Sequence, residues 1–335
     1  MQNLPVNLGA SEFEAHPLLK NGHAMTIAAV FWRRKFALPP AEERLFEVEP
    51  GTKLLGHCHW QADRRERAAI VLVHGLEGSS DSPYMRGIAE KAFAAGFSVV
   101  RLNQRNCGGT ERLTPTLYNS GMSADYRAVL FELIERDRIG EIFFAGYSMG
   151  GNLVLKMAGD LGEKAPAELR GVCGVCPAMD LAGCAEALEK LENFLYERHF
   201  VNGLMSRYRH KAALFPERYA RDGFGPVRTV REFDDKITAP QFGFRDADDY
   251  YTHSSALRVA GAIRVPALIV TARDDPFVLH ASFAVAAIRE NPAIRFEAPE
   301  HGGHCAFISR HRGAERFWAE KRIVEFCEGI RSQSL

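Results

Sequence analysis

Short, mainly apolar runs recur along most of the chain, separated by segments in which apolar residues return every three or four positions. Runs of this length, without polar alternation, are typical of strands that helices cover on both faces. Strands are predicted at 68–73, 97–102, 141–145, 172–176, 267–271 and 294–298. Because strands that alternate with helices form mostly parallel sheets, the pattern predicts an α/β fold with helices on both faces of the sheet.

Two further segments precede this alternation. Residues 46–49 and 54–60 flank a short turn and are predicted as an antiparallel hairpin. Residues 1–45 are predicted as an N-terminal extension that packs on the core, with a short helix over 24–36.

The alternation stops near residue 183 and resumes near residue 263. The segment between them is charged and rich in aromatic residues, with helical periodicity and no convincing strand. An insertion of this length between two strands is typical of a lid or cap. We therefore expect an α/β core over 46–182 and 263–335 and a helical cap over 183–262. Its aromatic side chains either line a pocket or form the core of the cap itself.

Composition and charge narrow the choice of partners. The 335 residues are 46% hydrophobic and 25% charged, and 42 basic residues balance 42 acidic ones, so the formal net charge is +0. This balance gives no sign of nucleic-acid binding, which normally needs a basic surface. The nearest candidate for a membrane-surface patch, Arg33-Arg34-Lys35, is interpreted as a solvated turn of a surface helix.

Export and membrane insertion are not indicated either. Residues 1–5 lack the basic start and the apolar run of a signal peptide. The longest apolar run near them, 27–32, is far shorter than the ~20 residues that a membrane-spanning helix needs. A cytoplasmic protein without stable membrane insertion is expected. Its seven cysteines are expected to be free thiols, because an odd number without an export signal argues against a disulfide framework.

Two cysteine-containing motifs invite a metal or redox interpretation. Cys173 and Cys176 form a CxxC, but it lies within a predicted strand, whereas redox CxxC motifs open helices, so buried packing is the preferred interpretation. His57-Cys58-His59 has no second pair of ligands at a recognisable spacing. No metal and no organic cofactor is expected.

The main chemical motif lies between the strand at 141–145 and the helix that follows it. The segment Gly146-Tyr147-Ser148-Met149-Gly150 fits G-x-S-x-G, a sharp turn that presents the serine Oγ at the edge of a sheet. The helix that begins there directs its positive end at any negative charge that develops at the serine. Ser148 is therefore the candidate nucleophile.

A nucleophilic serine needs a base to accept its proton and a carboxylate to orient that base. In a parallel sheet both partners are expected in loops after strands, at the same edge as the serine. Asp274-Asp275 follow the next-to-last predicted strand, and His301 and His304 follow the last one. The chain order is then Ser, Asp, His, as in α/β-hydrolases.

Within these loops we prefer Asp275 over Asp274, because the proline that follows Asp275 holds it in extended geometry. We prefer His304 over His301, because two glycines before His304 let its loop fold over the sheet edge. Asp180, at the end of another predicted strand, is the alternative acid.

An oxyanion formed by attack of the serine needs two backbone N–H donors. One is expected to be the N–H of Met149, directly after the nucleophile. The other is expected to be the N–H of Leu76, in the His74-Gly75-Leu76 loop after the first core strand.

Together these motifs resemble the YheT-like branch of the α/β-hydrolases, which also includes the eukaryotic ABHD1/ABHD3-type proteins. The matching segments are His16-Pro17, Asn21 to His23, His74 to Ser80, Ser82 to Tyr84, Asn103 to Thr110, Gly146 to Lys156, Phe233-Asp234, Thr238 to Pro240, Asp249 to Tyr251, Asp274 to Phe277 and His301 to His304. The resemblance implies carboxylic-ester hydrolase activity, with Ser148 as nucleophile, Asp275 as acid and His304 as base. The resemblance also extends to eukaryotic relatives, some of which act on phospholipids or transfer medium-chain acyl groups.

The sequence thus predicts a serine hydrolase that cleaves small carboxylic esters with apolar short- to medium-chain acyl groups through an acyl-enzyme. A thioesterase or acyltransferase that uses the same intermediate is the alternative, although no histidine is followed by the H-x4-D motif of one acyltransferase group. A non-catalytic binding protein on the same fold is the third hypothesis.

Overall fold

In the computed structural model, which describes residues 12–219 and 224–332, eight strands form one sheet. They are β1 Glu42–Glu49, β2 Thr52–His59, β3 Ala69–Val73, β4 Ser98–Leu102, β5 Ile142–Tyr147, β6 Leu169–Val175, β7 Ala267–Val270 and β8 Ile294–Glu297. Their order across the sheet is β1-β2-β4-β3-β5-β6-β7-β8. Neighbours from β4 to β8 pair in parallel, while β1 and β2 form an antiparallel hairpin and β2 pairs antiparallel with β4. The predicted α/β class is confirmed.

Helices connect and cover these strands. They are α1 Gly22–Phe31, α2 Pro83–Ala94, α3 Ser123–Glu135, α4 Met149–Leu161, α5 Leu181–Leu188, α6 Phe194–Leu214, α7 Val230–Phe233, α8 Ala239–Phe242, α9 Ala247–Ser254, α10 Ala286–Arg289 and α11 Trp318–Ser332. No helix within the described ranges combines the length and the apolar character that crossing a bilayer requires.

The unbroken apolar run of β3 follows from the two helical layers. Val71 and Val73 pack on one face of the sheet, in the apolar cluster that contains α3 and α4. Ile70 and Leu72 pack on the other face, in the cluster that contains α2 and α11. With apolar partners on both sides, the strand needs apolar side chains at every position.

Each predicted strand is present, and the largest shift is at the start of β1. This strand begins at Glu42 instead of residue 46, because its pairing with β2 continues to Cys58. Most of β1 is exposed at the sheet edge. Its early residues are therefore charged, and hydrophobicity does not mark them as a strand.

Extended backbone interrupts the helical segments near the C-terminus. The segment after β7 forms two short pieces, His280–Phe283 and α10, separated by the extended backbone of Val285. Helix α11 begins at Trp318, because a β-bridge between Ile308 and Phe317 keeps the chain extended just before it.

The N-terminal segment also differs from its prediction. Helix α1 ends at Phe31 instead of residue 36. Arg34 is not a solvated residue of a helical turn, because its guanidinium bonds both carboxylate oxygens of Glu320 in α11, at 2.5 and 2.8 Å. Both side chains are largely buried, with exposed fractions of 10% and 3%. Residues 1–11 of the predicted extension lie outside the described residues.

Between β6 and β7 the described residues form helices α5 to α9, with a π-helical turn at Asp234–Thr238 and no strand. We call α5 to α9 the cap helices. Residues 220–223 of the predicted cap, like residues 333–335 of the predicted core, lie outside the described part of the chain.

Candidate active site

Ser148 occupies the sharp turn between β5 and α4. Its backbone has φ 53° and ψ −120°, a conformation that is strained for any residue with a side chain. Its neighbours are buried, whereas Ser148 itself is only half-buried. The strain thus accompanies a side chain that is directed out of the sheet, as in the strand-to-helix turns that present nucleophiles.

The two glycines of the motif are required by close backbone approach. A Cβ atom on Gly146 would lie 2.1 Å from the carbonyl oxygen of Gly150. A Cβ atom on Gly150 would lie 2.4 Å from the carbonyl oxygen of His74. No side chain fits at either position unless the backbone moves.

Asp275 is held rigidly in the loop after β7. Its side chain is fully buried. One carboxylate oxygen accepts the backbone N–H groups of Phe277 (3.1 Å) and Val278 (2.9 Å). The other oxygen lies 2.8 Å from Nδ1 of His304. These three hydrogen bonds therefore fix the orientation of the Asp275 carboxylate towards the imidazole of His304.

His304 lies in the loop after β8, with its ring 11% exposed. Its ring packs against Phe277 with centroids 4.1 Å apart, and its backbone N–H donates to Oγ1 of Thr26 at 2.8 Å. Burial disfavours the charged ring, but the nearby Asp275 carboxylate and Cys305 together outweigh it and raise the pKa of His304. The ring is thus fixed in place by Asp275 and made more basic by both neighbours.

The rejected candidates lie elsewhere. Nδ1 of His301 lies 3.3 Å from a carboxylate oxygen of Asp274, whose other oxygen accepts the N–H of Gly303 at 2.9 Å. Asp180 caps the N-terminus of α5, where it accepts the N–H of Gly183 at 3.1 Å. The structure therefore brings Asp275, and neither of the other two carboxylates, to His304.

Ser148 and His304 line one pocket, together with Tyr84, Tyr196 and Phe277. We call this the histidine pocket. Among the described residues no hydrogen bond joins the serine hydroxyl to the imidazole. In enzymes without substrate this bond is often long, and it shortens when substrate binds.

The loop after β3 passes directly beside the nucleophile. A Cβ atom on Gly75 would lie 3.2 Å from the Cβ of Ser148. The next N–H, that of Leu76, and the N–H of Met149 at the start of α4 donate to no protein acceptor in the described part of the chain. Two unpaired backbone donors therefore flank the serine.

His74 keeps this loop in place and is not a second base. It is fully buried, its Nδ1 lies 2.8 Å from the carbonyl oxygen of Gly75, and its Nε2 accepts the N–H of Gln104 at 3.1 Å. Burial lowers the pKa of His74 to about 4, so the ring stays neutral near pH 7.

A second pocket, beneath the cap helices, adjoins the first at Ser148 and shares Leu76, Phe200 and Phe277 with it. Leu76 and Met149 line its core side, and Leu188, Phe200 and other apolar residues of the cap helices line the opposite side. We call it the cap pocket. It is mainly apolar, as expected for a site that takes a hydrocarbon chain.

A buried carboxylate lies in the wall of the cap pocket. Asp234 lines the wall, and its carboxylate accepts the hydroxyl of Thr238 at 2.7 Å and that of Tyr251 at 2.9 Å. Burial raises the pKa of Asp234 to about 7. These bonds link the π-helical turn to α9 and so shape the cap side of the pocket.

The aromatic residues of the insertion serve both of the roles that the sequence left open. Phe200 and Phe233 line the cap pocket. Tyr208 packs edge-on against Tyr219 and Phe224, with centroids 5.8 and 5.2 Å apart, in an apolar cluster that also contains Phe233.

Comparison with known protein families shows to which family the chain belongs. The model of the α/β hydrolase fold family matches residues 68–310. The chain belongs to the α/β-hydrolase family. The predicted resemblance is thereby confirmed at the level of the fold family.

Individual relatives narrow the branch. The Escherichia coli protein named "Putative esterase YheT" is 31% identical over 322 residues, which cover 95% of this chain and 93% of the relative. Phospholipase ABHD3 of Mus musculus is 29% identical over 250 residues, 74% of this chain and 60% of the relative. The Pyrococcus furiosus esterase Pf2001 is similar in fold, with a TM-score of 0.57 at 13% identity over 88% of this chain and 98% of that chain. The predicted resemblance to the YheT-like branch is confirmed.

Several residues of the site were missed by the sequence reasoning. Thr26 supports the backbone of His304, and a Cβ atom on Gly22 would lie 1.8 Å from the carbonyl oxygen of Asp274, so α1 packs tightly on the acid and histidine loops. Cys305 directly follows the histidine, yet no sequence signal linked it to Cys176, which lies beneath it. Proximity to His304 in the sequence was the only available clue.

Proposed function

We propose that the protein is a serine hydrolase that cleaves carboxylic esters with apolar short- to medium-chain acyl groups. One observation carries the proposal. The 2.8 Å bond between Asp275 and His304 fixes an imidazole in the same pocket as the strained Ser148. The relatives named esterase and phospholipase support the same reaction class.

The geometry supports a two-step mechanism. His304 accepts the Ser148 proton as the hydroxyl oxygen attacks the ester carbonyl carbon, and Asp275 stabilises the imidazolium that forms. The N–H groups of Leu76 and Met149 donate to the oxyanion, a contribution of about 3–4 kcal/mol for each donor in comparable sites. The intermediate then expels the alcohol, which takes the proton from His304. Water, activated by the same ring, releases the acid from Ser148.

The two pockets suggest where each half of the ester binds. Both oxyanion donors border the cap pocket, so the carbonyl carbon and its apolar chain are assigned to that side. The histidine pocket contains the group that must protonate the leaving alcohol, so the alcohol is assigned there. The segment 183–262 then acts as a cap whose shape limits the length of the acyl chain.

The test is replacement of the nucleophile. Ser148→Ala should reduce hydrolysis of a p-nitrophenyl acyl ester panel to background, whereas Ser206→Ala, at an exposed position on α6, should leave it unchanged. A fluorophosphonate probe should label the wild type and Ser206→Ala but not Ser148→Ala. Turnover that survives in a folded Ser148→Ala variant contradicts the proposal.

The same panel should include acyl thioesters and added alcohol acceptors. It then measures hydrolysis and acyl transfer separately, although both use the same acyl-enzyme. A wild-type protein that neither turns over any ester or thioester nor reacts with the probe would instead be a non-catalytic member of the family.

A further inference from the structure

Three side chains that can bind metal meet beneath the histidine pocket. Within the described residues, the ligand atoms of Cys176, His304 and Cys305 all lie within 4.8 Å of one another. Cys176 follows β6, whereas Cys305 comes directly after the proposed base, 129 positions later. The fold, and not the local sequence, brings these groups together.

The donor set suits one kind of ion. Two thiols and an imidazole are ligands that zinc prefers, with Zn–S distances of about 2.3 Å and Zn–N distances of about 2.0–2.1 Å. Tetrahedral geometry at these lengths places ligand atoms about 3.3–3.8 Å apart. The three groups therefore need to move by no more than about 1 Å to surround an ion.

Two existing hydrogen bonds suit the binding of an ion. The backbone N–H of Cys305 donates to the sulfur of Cys176 at 3.3 Å, a bond that becomes stronger when the sulfur is ionised. Asp275 holds Nδ1 of His304, the arrangement that commonly orients a zinc-bound histidine. His304 and Cys305 line the histidine pocket, so an ion can reach them through the opening that admits substrate.

We propose that Cys176, Cys305 and a ring nitrogen of His304 form an inhibitory Zn²⁺ site. Each thiol gives its proton to solvent as its sulfur bonds the ion, and the fourth position faces the histidine pocket. A metal-bound His304 cannot accept the Ser148 proton. The inhibitory effect rests on the proposed function, whereas binding of the ion does not.

The binding test uses the full, reduced chain and does not depend on activity. One zinc per chain should remain after gel filtration, measured by elemental analysis. Co²⁺ in place of zinc should give a thiolate-to-cobalt charge-transfer band. Cys305→Ser and Cys176→Ala should each lose the zinc and the band, whereas Cys184→Ser, at another half-buried cysteine, should keep both.

Circular dichroism and thermal unfolding show whether each variant is folded. Because Cys176 is fully buried, the more exposed Cys305→Ser is the decisive variant if Cys176→Ala does not fold. Absence of bound zinc in the wild type overturns the proposal. So does retention of zinc by a folded Cys305→Ser variant.

The second test measures the effect of the ion on ester hydrolysis. One equivalent of zinc should reduce wild-type turnover at least tenfold, and a chelator should restore it. The ratio of activity with and without zinc should return to about one in Cys305→Ser. Zinc binding without any wild-type ester turnover contradicts the proposed function but not the site. Ester turnover that bound zinc leaves unchanged overturns the inhibitory role.

Discussion

Two histidine–aspartate pairs lie side by side in the loops after β7 and β8, and they differ in burial. In the pair of His304 and Asp275, the ring is 11% exposed, the carboxylate is fully buried, and the joining distance is 2.8 Å. In the pair of His301 and Asp274, the side chains are 27% and 20% exposed, and the distance is 3.3 Å. Neighbouring residues of the same two types thus form one buried pair and one solvated pair.

The difference shows how burial assigns a role to each pair. Water reaches both side chains of the His301 pair and weakens the interaction between them. The spare oxygen of Asp274 instead holds the N–H of Gly303 and shapes the loop that carries the histidines. The His304 pair is shielded from water, so the Asp275 carboxylate acts at full strength on one ring.

Removal of each histidine ring should give the largest difference in kcat between the two pairs. His304→Ala should reduce kcat for ester hydrolysis by about 10⁶-fold, as loss of the base does in comparable serine enzymes. His301→Ala should change it by no more than a few-fold, because its pair supports the loop only. Steady-state kinetics on one p-nitrophenyl ester decide this. Equal losses in both folded variants would mean that the wrong pair has been assigned to catalysis.

Replacement of the two aspartates should give the second-largest difference in kcat between the pairs. Asp275→Asn should lower kcat by about 10⁴-fold, since an amide does not hold the ring in the required tautomer. Asp274→Asn keeps an oxygen for the Gly303 N–H and should cost less than tenfold. A comparison of kcat at saturating ester tests both, and near-wild-type kcat in Asp275→Asn contradicts the assignment.

The pH profile sharpens the comparison further. Only the unprotonated ring accepts the serine proton, so kcat/KM should rise with pH as His304 loses its proton. Because Asp275 raises the pKa of His304, the midpoint should lie above about 6.5, the ordinary value for histidine. The midpoint should move to lower pH in Asp275→Asn, whose residual activity is followed at high enzyme concentration. It should stay in place in Asp274→Asn, and a shift there instead would reverse the two roles.

Support of the His304 backbone by α1 should give the smallest effect. Thr26→Val removes the acceptor of the His304 N–H and should cost about 1 kcal/mol, or about fivefold in kcat/KM. Thr26→Ser keeps the hydroxyl and is the matched control. A loss in the serine variant as large as in the valine variant would assign the effect to packing and not to the hydrogen bond.

Features that depend on residues close along the chain could be predicted from the amino-acid sequence. Unbroken apolar runs such as that of β3 mark strands covered on both faces, because every side chain there is buried. The need for Gly146 in the turn at Ser148 is local, since the carbonyl oxygen that it must approach belongs to the nearby Gly150. Gly150 instead approaches the backbone of His74, which is distant in the sequence. Loop positions after strands were enough to propose Asp275 and His304 as partners.

Contacts between distant segments, in contrast, were revealed by the folded chain alone. The buried position of His304 beside Asp275 depends on Phe277, which packs on the ring, and on Thr26, which holds the loop. A pattern of single residues displays neither contact. The ion pair between Arg34 and Glu320 of α11 depends on segments that meet only after folding. So does the start of that helix at Trp318.

The same reason explains the cysteine–histidine cluster. A sequence pattern indicates which side chains share a strand or a helix face. Cys176 and Cys305, however, approach each other from the segments that follow two different strands, β6 and β8. The local sequence therefore indicated the candidate nucleophile and the strands around it. The packed fold determined which carboxylate, which imidazole and which thiols lie close to one another near Ser148.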